Sequence, residues 1–316
     1  MTQTSPSRFQ AVARKCLLIF ATGLIFLLVS EGLFYGLVRS TDTLFGYAVT
    51  VALYCYAAWL FLIVVTYFNI KSRAALFLAG GFFGWMVEGV LVGTMYGIPD
   101  MPFPLTIPVT GLSWHALLTV MVGWHGMRLA LRKRGTTFRF AGLTGIFWGL
   151  WAATWRSADA SIQVGVESFF LYGCLLIALF VAGHMLWQKM ARTPLVFSKW
   201  EIRTAVAGTT LWFFLVTVPH QPIAVFVLPP LLGLMYFALE KNRIREGSRS
   251  LLPELADNIS LARYLPFAIV PPIASFLYAI TESIPNFEYN LIVVTAITGC
   301  IGTWMFGASL VKLLKS

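Results

Sequence analysis

Long apolar runs, each separated from the next by a few polar residues, fill almost the whole of this sequence. A helix needs about 20 mostly apolar residues to cross the hydrocarbon core of a bilayer, and each run reaches about that length. Charged residues make up 11% of the chain, against about 25% in a soluble domain. A soluble fold would lack the polar surface to cover so many apolar side chains, so the pattern predicts an all-α, polytopic bundle of transmembrane helices.

The apolar runs predict about ten spans in a single integral membrane domain, residues 1–316. The predicted spans cover residues 16–38, 44–69, 74–97, 111–131, 138–155, 166–188, 200–218, 221–239, 264–281 and 289–312. Basic residues precede the first run, as in a signal peptide, but no small-residue cleavage site follows. The first run is therefore expected to remain as an uncleaved span. The longest connection, about 240–263, is cytoplasmic in this arrangement and includes a short amphipathic stretch, LLPELADNISLARYL, which predicts an interfacial helix.

The positions of Lys and Arg test the span number independently, because cytoplasmic loops collect these residues and translocated loops exclude them. With a cytoplasmic N-terminus, ten spans place 21 of the 23 basic residues inside and only Arg39 and Arg156 outside. Both termini are therefore predicted to be cytoplasmic, in a bacterial or archaeal cell membrane. The formal net charge of +10 is explained by topology and by anionic lipid headgroups, so no nucleic-acid partner is expected.

Metal, cofactor and nucleotide chemistry have no signature in the sequence. The four cysteines (Cys16, Cys55, Cys174 and Cys300) are far apart and form no CxxC pair. Neither HxxxH nor HExxH occurs, and P-loop, GxSxG and Rossmann glycine patterns are also missing from the sequence. No metal site and no cofactor are therefore indicated.

Two carboxylates, Glu31 and Glu88, fall inside predicted spans. An ionised side chain at mid-membrane costs about 2.5–3.5 kcal/mol or more, so each marks a functional site by default. The alternative is a protonated carboxyl that only packs and hydrogen-bonds. Gly80, Gly84 and Glu88 share one helix face, which predicts that Glu88 faces a neighbouring helix and not lipid. Both carboxylates are expected in the outer half of the membrane.

Three further polar residues are predicted near the outer face. His115 lies about one turn inside the fourth span, at a depth similar to that of Glu88, where such a pair can relay protons or orient a polar substrate. His220 lies in the short outer turn VPHQP, and Arg156 ends the fifth span close to Asp159. The alternatives are an interfacial hydrogen bond for His115, simple exposure for His220 and neutralisation by Asp159 for Arg156.

Two proline pairs mark candidate helix breaks. Pro229 and Pro230 lie near the middle of the eighth predicted span, and Pro271 and Pro272 lie near the middle of the ninth. Proline removes a backbone hydrogen bond, and transporters use interrupted helices at the midplane to bind ions and substrates. The alternative is a kinked structural hairpin, because the pairs lie in consecutive spans and not at matching positions of two halves.

The first functional hypothesis is a secondary transporter or permease for a small or amphiphilic solute, in which Glu31 and Glu88 couple protons to the substrate. It depends on ten spans, buried carboxylates and the two proline pairs. The span number and the layout of the termini are similar to those of the drug/metabolite transporter superfamily. No stretch of the sequence matches a motif of that superfamily, so no family is assigned.

The second hypothesis is an intramembrane enzyme that uses Glu31, Glu88 and His115 for acid–base chemistry on a lipid or isoprenoid. The stretches EGVLVGTMYG and PFPLTIPVTGLSW resemble the Glu–Gly, Tyr and Pro–Trp run of membrane carotenoid hydratases, which also work by acid chemistry. This resemblance covers about 30 residues, and no function is transferred on it. The third hypothesis is a subunit or assembly factor of a larger membrane complex, with the face of Gly145 and Gly149 contacting a membrane-protein partner.

Overall fold

A computed structural model describes residues 8–33, 43–99, 101–154, 164–246, 251–284, 287 and 290–315. These residues are all-helical, without a β-strand, and they include nine helices long and apolar enough to cross a membrane. The protein is therefore an all-helical, multi-pass membrane protein, as predicted. The main helices are α1 (Phe9–Gly32), α2 (Leu44–Tyr67), α3 (Arg73–Leu91), α4 (Ile107–Ala130), α5 (Arg134–Ala153), α6 (Val166–Ala191), α7 (Lys199–His220), α8 (Ala224–Ile244), α9 (Leu261–Ile280) and α10 (Ile292–Lys315).

Helix α5 occupies the place of the fifth predicted span, but it is not one of the nine. It has 20 residues, and Arg139, with several glycine and threonine residues, lowers its mean hydropathy below that of the nine. It nevertheless packs closely along α9, because its glycines let the two backbones approach. A Cβ built on Gly149 would lie 2.4 Å from the carbonyl oxygen of Ala274, and one on Gly145 would lie 3.0 Å from Cβ of Ile273.

The end of α3 differs from the sequence prediction, which extended this span to residue 97. The helix ends at Leu91, and Gly93 follows with φ of 87°, a left-handed conformation that glycine adopts without steric cost. A short 3-10 turn, Thr94–Tyr96, then starts the connection to α4. Helix α4 in turn begins four residues before its predicted start, because Pro108 fits the first turn of a helix.

Residues 251–264, here called the capping segment, close the end of the bundle at which α4 joins α5. The interfacial helix predicted in this region is wrong. A short helix, Leu251–Leu255, is followed by extended chain and a 3-10 turn, and Leu251, Leu252 and Leu255 are buried against the bundle. The interruption leaves backbone carbonyls free to accept hydrogen bonds, which a continuous helix would use internally.

Arg128 in α4 uses those carbonyls and is fully buried. Its Nε donates to the carbonyl of Leu255 at 3.0 Å, and its two terminal nitrogens donate to the hydroxyl of Tyr264 at 3.0 Å and to Oε1 of Gln188 at 3.2 Å. The guanidinium also lies over the ring of Trp187, 5.3 Å from its centroid. A buried charge is tolerated only with such a set of partners, so Arg128 fixes the capping segment to α4 and α6.

The proline pairs do not produce the expected breaks. Pro229 and Pro230 lie inside the continuous helix α8, because the rest of the helix holds the segment although each proline removes one donor. Pro271 and Pro272 lie in the first turn of the α-helical part of α9, where a proline sacrifices no hydrogen bond. A 3-10 turn, Leu265–Ile269, precedes them, so the ninth span changes helix type there without unwinding.

We expect Gly149→Ala to destabilise the protein and Gly142→Ala to leave it unchanged or slightly more stable. The new methyl group at position 149 meets the backbone of α9, whereas a Cβ at position 142 of the same helix meets nothing within 4 Å. Each change also adds about 1 kcal/mol of helix propensity. Thermal unfolding in detergent measures both variants, and equal unfolding temperatures would contradict the tight packing of α5 on α9.

Candidate functional site

Glu88 and His115 form a direct pair between α3 and α4. Oε1 of Glu88 lies 2.6 Å from Nε2 of His115, and only 14% and 3% of the two side chains are exposed. Thr94, in the turn after α3, donates a hydrogen bond to Oε2 of Glu88. The structure therefore brings together the two residues that the sequence placed at similar depth, and both carboxylate oxygens have a partner.

Ser30 of α1 occupies the other side of the imidazole ring. Its hydroxyl lies 3.0 Å from Nδ1 of His115 and 2.8 Å from Oγ1 of Thr119. Trp114 donates its indole N–H to the carbonyl of Ser30 at 3.1 Å, which holds this turn of α1 against α4. The hydroxyl of Ser30 can donate to Nδ1 or accept from it, so it can serve either tautomer of the ring.

The second carboxylate, Glu31, reaches the same region through Tyr54 of α2. The hydroxyl of Tyr54 donates to Oε1 of Glu31 at 2.8 Å, and Glu31 directly follows Ser30, which contacts His115. Four helices therefore contribute polar side chains to one region, here called the polar cluster. Its members are Ser30, Glu31, Tyr54, Glu88, Thr94, His115 and Thr119.

The backbone departs from α-helical geometry wherever a helix supplies Glu31, Glu88 or His115. The segments Leu28–Gly32, Val87–Leu91 and Ile107–Gly126 are π-helical, with hydrogen bonds that span five residues; the amide of Val92, for example, donates to the carbonyl of Val87 at 2.9 Å. Such wide turns are rare in proteins overall, but those that occur are frequently found at functional sites. No sequence pattern indicated these π-helical turns.

Small residues let α3 and α4 approach closely beside the cluster, as the glycine spacing predicts. A Cβ built on Gly84 would lie 2.4 Å from the carbonyl oxygen of Gly111 and 2.8 Å from Cβ of His115. The same contact continues one turn below, where a Cβ on Gly80 would lie 3.0 Å from Cα of Ala116. Because only glycine fits, α3 presents Glu88 directly to His115 and not to lipid.

Interlocked aromatic rings, here called the aromatic layer, lie on the side of the cluster that faces the capping segment. Phe83 contacts the His115 ring edge to face at 5.2 Å, and the layer continues to Trp187 beside Arg128. Its members are Phe26, Phe61, Phe83, Trp124 and Trp187, with neighbouring centroids 4.5 to 6.4 Å apart. All except Trp187 touch at least two other members, so the layer separates the cluster from the opposite end of the bundle.

The connection between α3 and α4 covers the cluster from the other side. Thr106 donates to the carbonyl of Met95 at 2.6 Å, and Tyr96 donates to the carbonyl of Gly89 at 2.8 Å. Burial raises the pKa of Tyr96, so its hydroxyl remains a donor at physiological pH. These bonds fold the proline-rich loop onto the helix ends.

The other predicted site residues lie outside the cluster. His220 is exposed, and its Nδ1 donates to the carbonyl of Val216 at 2.7 Å within its own turn. Arg156 lies outside the described residues. Within the part of the chain that the structure describes, no three His, Cys, Asp or Glu side chains converge as metal ligands.

Sequence reasoning missed Ser30, Tyr54, Thr94 and Thr119 as members of the cluster. Two of them had a local signal, because Ser30 adjoins Glu31 and Thr119 lies four residues after His115. Tyr54 had none, since one tyrosine among 11 in an aromatic-rich membrane protein is unremarkable.

Comparison of the chain with protein-family models, with curated proteins and with solved structures finds no match.

We expect Glu88→Gln and His115→Asn to be non-additive in their effect on stability. Each change removes the same charge-assisted hydrogen bond, which contributes about 1.5–3 kcal/mol, so the double variant should unfold near the temperature of the less stable single variant. A matched pair, Glu88→Gln with His220→Asn, should be additive because His220 contacts only its own turn. Thermal unfolding in detergent is measured for the single and double variants of each pair. Additive effects of Glu88→Gln and His115→Asn would contradict a direct interaction between the two residues.

Proposed function

We propose that this membrane protein is an enzyme that carries out acid–base chemistry on a lipid-like or isoprenoid substrate at the polar cluster. The observation that carries the proposal is the buried Glu88–His115 pair, hydrogen-bonded on both sides and adjoined by the second carboxylate, Glu31. A carboxyl and an imidazole within hydrogen-bond distance are the usual partners in general acid–base catalysis. Two carboxyl groups in one apolar setting can take the roles of acid and base.

The roles follow from the contacts. The Glu88–His115 pair holds a transferable proton between Oε1 and Nε2, and Ser30 holds the imidazole ring in position through Nδ1. Glu31 and Tyr54 provide a second proton-exchanging pair. In this proposal one pair donates a proton to the substrate while the other accepts one from water or from an adjacent substrate carbon, so the protons balance.

The surroundings favour an apolar substrate. Phe83 packs on His115, and Trp114 beside it stacks on Trp151 at 4.9 Å. Such walls offer no hydrogen bonds to a polar solute, whereas a hydrocarbon chain entering from the bilayer loses nothing by contacting them.

A proton-coupled permease for a small or amphiphilic solute is the second candidate. Its specific support is the convergence of α1, α2, α3 and α4 on one ionisable cluster, since a proton bound there contacts every helix that would have to move. The change of helix type before Pro271 and Pro272 offers a place to bend. Against it stand the unbroken α8 and the aromatic layer, which closes the route to the opposite end.

We further propose ten spans with both termini in the cytoplasm, α5 being the tenth. The support is that α5 has span length and is packed against α9, and that the alternation of basic and acidic loops requires this number. We expect a C-terminal alkaline phosphatase fusion to be inactive in a bacterial host and a C-terminal fluorescent protein to be bright. Active phosphatase at the C-terminus would contradict this topology.

For the enzyme, we expect Glu88→Gln to abolish a change in the host lipids that the wild-type protein produces on expression. Amide cannot replace carboxyl as a proton donor, and a general acid or base contributes about 10²- to 10⁴-fold to a rate. Untargeted mass spectrometry of lipid extracts compares cells that express wild type, Glu88→Gln and the control His220→Asn. Product species that persist in the Glu88→Gln extract would contradict the proposal.

The permease hypothesis predicts different results for the same variants in two measurements, proton flux and lipid composition. Proteoliposomes with wild-type protein would acidify on addition of a transported solute, as a pH-sensitive dye reports, and Glu88→Gln would stop this flux while the lipid extracts stayed equal. Loss of a lipid product without proton flux supports the enzyme, and proton flux without a lipid product supports the permease. An effect of Glu88→Gln on neither readout would contradict both.

A further inference from the structure

An open cavity of about 500 Å³ lies beside the capping segment, at the end of the bundle opposite the polar cluster. It is formed where the end of α4 meets the start of α9. Its polar lining consists of Arg132, Asp257, Asn258, Ser260 and Arg263, and Leu131 and Ile259 supply apolar walls. Neither the acid–base chemistry nor the packing of the helices requires this cavity.

The polar lining is dominated by hydrogen-bond donors. Arg132 pairs with Asp257 at 2.7 Å and donates to the carbonyl of Glu254 at 2.8 Å, so the one acidic side chain of the lining is already neutralised. Asn258 accepts a hydrogen bond from Arg192 at 2.8 Å through Oδ1, which leaves its amide N–H groups as donors. The unpaired polar groups that remain therefore suit an anion.

Arg263 is the decisive residue. Its side chain has no hydrogen bond, ion pair or aromatic contact to any residue that the structure describes, although it is half-buried and lines the cavity. The adjacent Ser260 hydroxyl also has no bond to another described residue. An arginine that is held at a cavity without a protein partner presents its planar donor fork to a ligand, and phosphate oxygens match that fork.

The surrounding charge adds to this preference. Arg128 and Arg192 contact the capping segment next to the cavity, so four arginines lie in or beside a segment that carries two carboxylates, those of Glu254 and Asp257. Arg263 lies in the first turn of α9, and Arg132 lies two residues after the end of α4, so both are at the level where lipid headgroups lie. Basic pockets between helix ends at this level bind anionic headgroups.

We propose that this cavity binds a phosphate-bearing anion, presented by a lipid headgroup or free in solution, with Arg263 and Ser260 as its main contacts and Arg132 at its edge. The bound phosphate bridges the end of α4 and the start of α9. The proposal is independent of the chemistry at the polar cluster.

The test compares wild type with Arg263→Gln and Ser260→Ala, and uses Arg134→Gln as the matched control. Arg134 is an exposed arginine at the same end of the bundle that contributes nothing to the cavity lining. Native mass spectrometry counts adducts of dioleoyl phosphatidic acid against dioleoyl phosphatidylcholine on the full-length protein. In parallel, the unfolding temperature is measured with sodium phosphate and with sodium chloride of equal ionic strength.

For a lipid ligand we expect a preference for phosphatidic acid that falls about fivefold in Arg263→Gln, less in Ser260→Ala, and not at all in Arg134→Gln. For free phosphate we expect a phosphate-specific rise of the unfolding temperature that is lost in Arg263→Gln. Because Arg263 has no protein partner, its replacement should leave the stability without ligand unchanged. Identical behaviour of Arg263→Gln and wild type in both assays, or an equal loss in Arg134→Gln, would overturn the proposal.

Discussion

The cost of an unpaired polar group in hydrocarbon governs the arrangement of this protein. Glu88 is largely buried within the bundle, so its two oxygens need donors on other parts of the chain. They find them on His115 and Thr94, and the imidazole of His115 in turn contacts Ser30. The second carboxylate, Glu31, has its own partner in Tyr54. The two carboxylates thus draw partners from helices α1 to α4.

The same constraint acts on Arg128 at the opposite end, with a different result. A guanidinium has five donors and no acceptor, and three helices cannot satisfy them with side chains alone. The capping segment therefore abandons helical geometry between Leu255 and Leu261 and turns its carbonyls inward. The bundle carries an ionisable cluster at one end and, at the other, an arginine held by four hydrogen bonds.

Apolar run length predicted the helices well because bilayer thickness alone sets it. Run length failed for details that the local backbone and tertiary contacts decide. Helix α3 ends early, before Gly93, and α8 runs through Pro229 and Pro230 because neighbouring turns hold it. Glu88 and His115 were found because ionisable residues are conspicuous among apolar ones. Tyr54 was missed, since its role depends on how α2 is rotated, and helix rotation is not encoded in span length.

The packing of the aromatic layer bears on the choice between the two proposed functions. A permease must open a path past Phe26, Phe83 and Trp124, whose edge-to-face contacts are each worth about 0.5–1.5 kcal/mol beyond their buried area. Several of these contacts would break together in every transport cycle. The proposed enzyme needs the opposite property, because a wall of packed rings beside His115 would keep water away from the transferred proton. The layer that would obstruct transport therefore supports the proposal of a reaction at the polar cluster, more than the number of helices does.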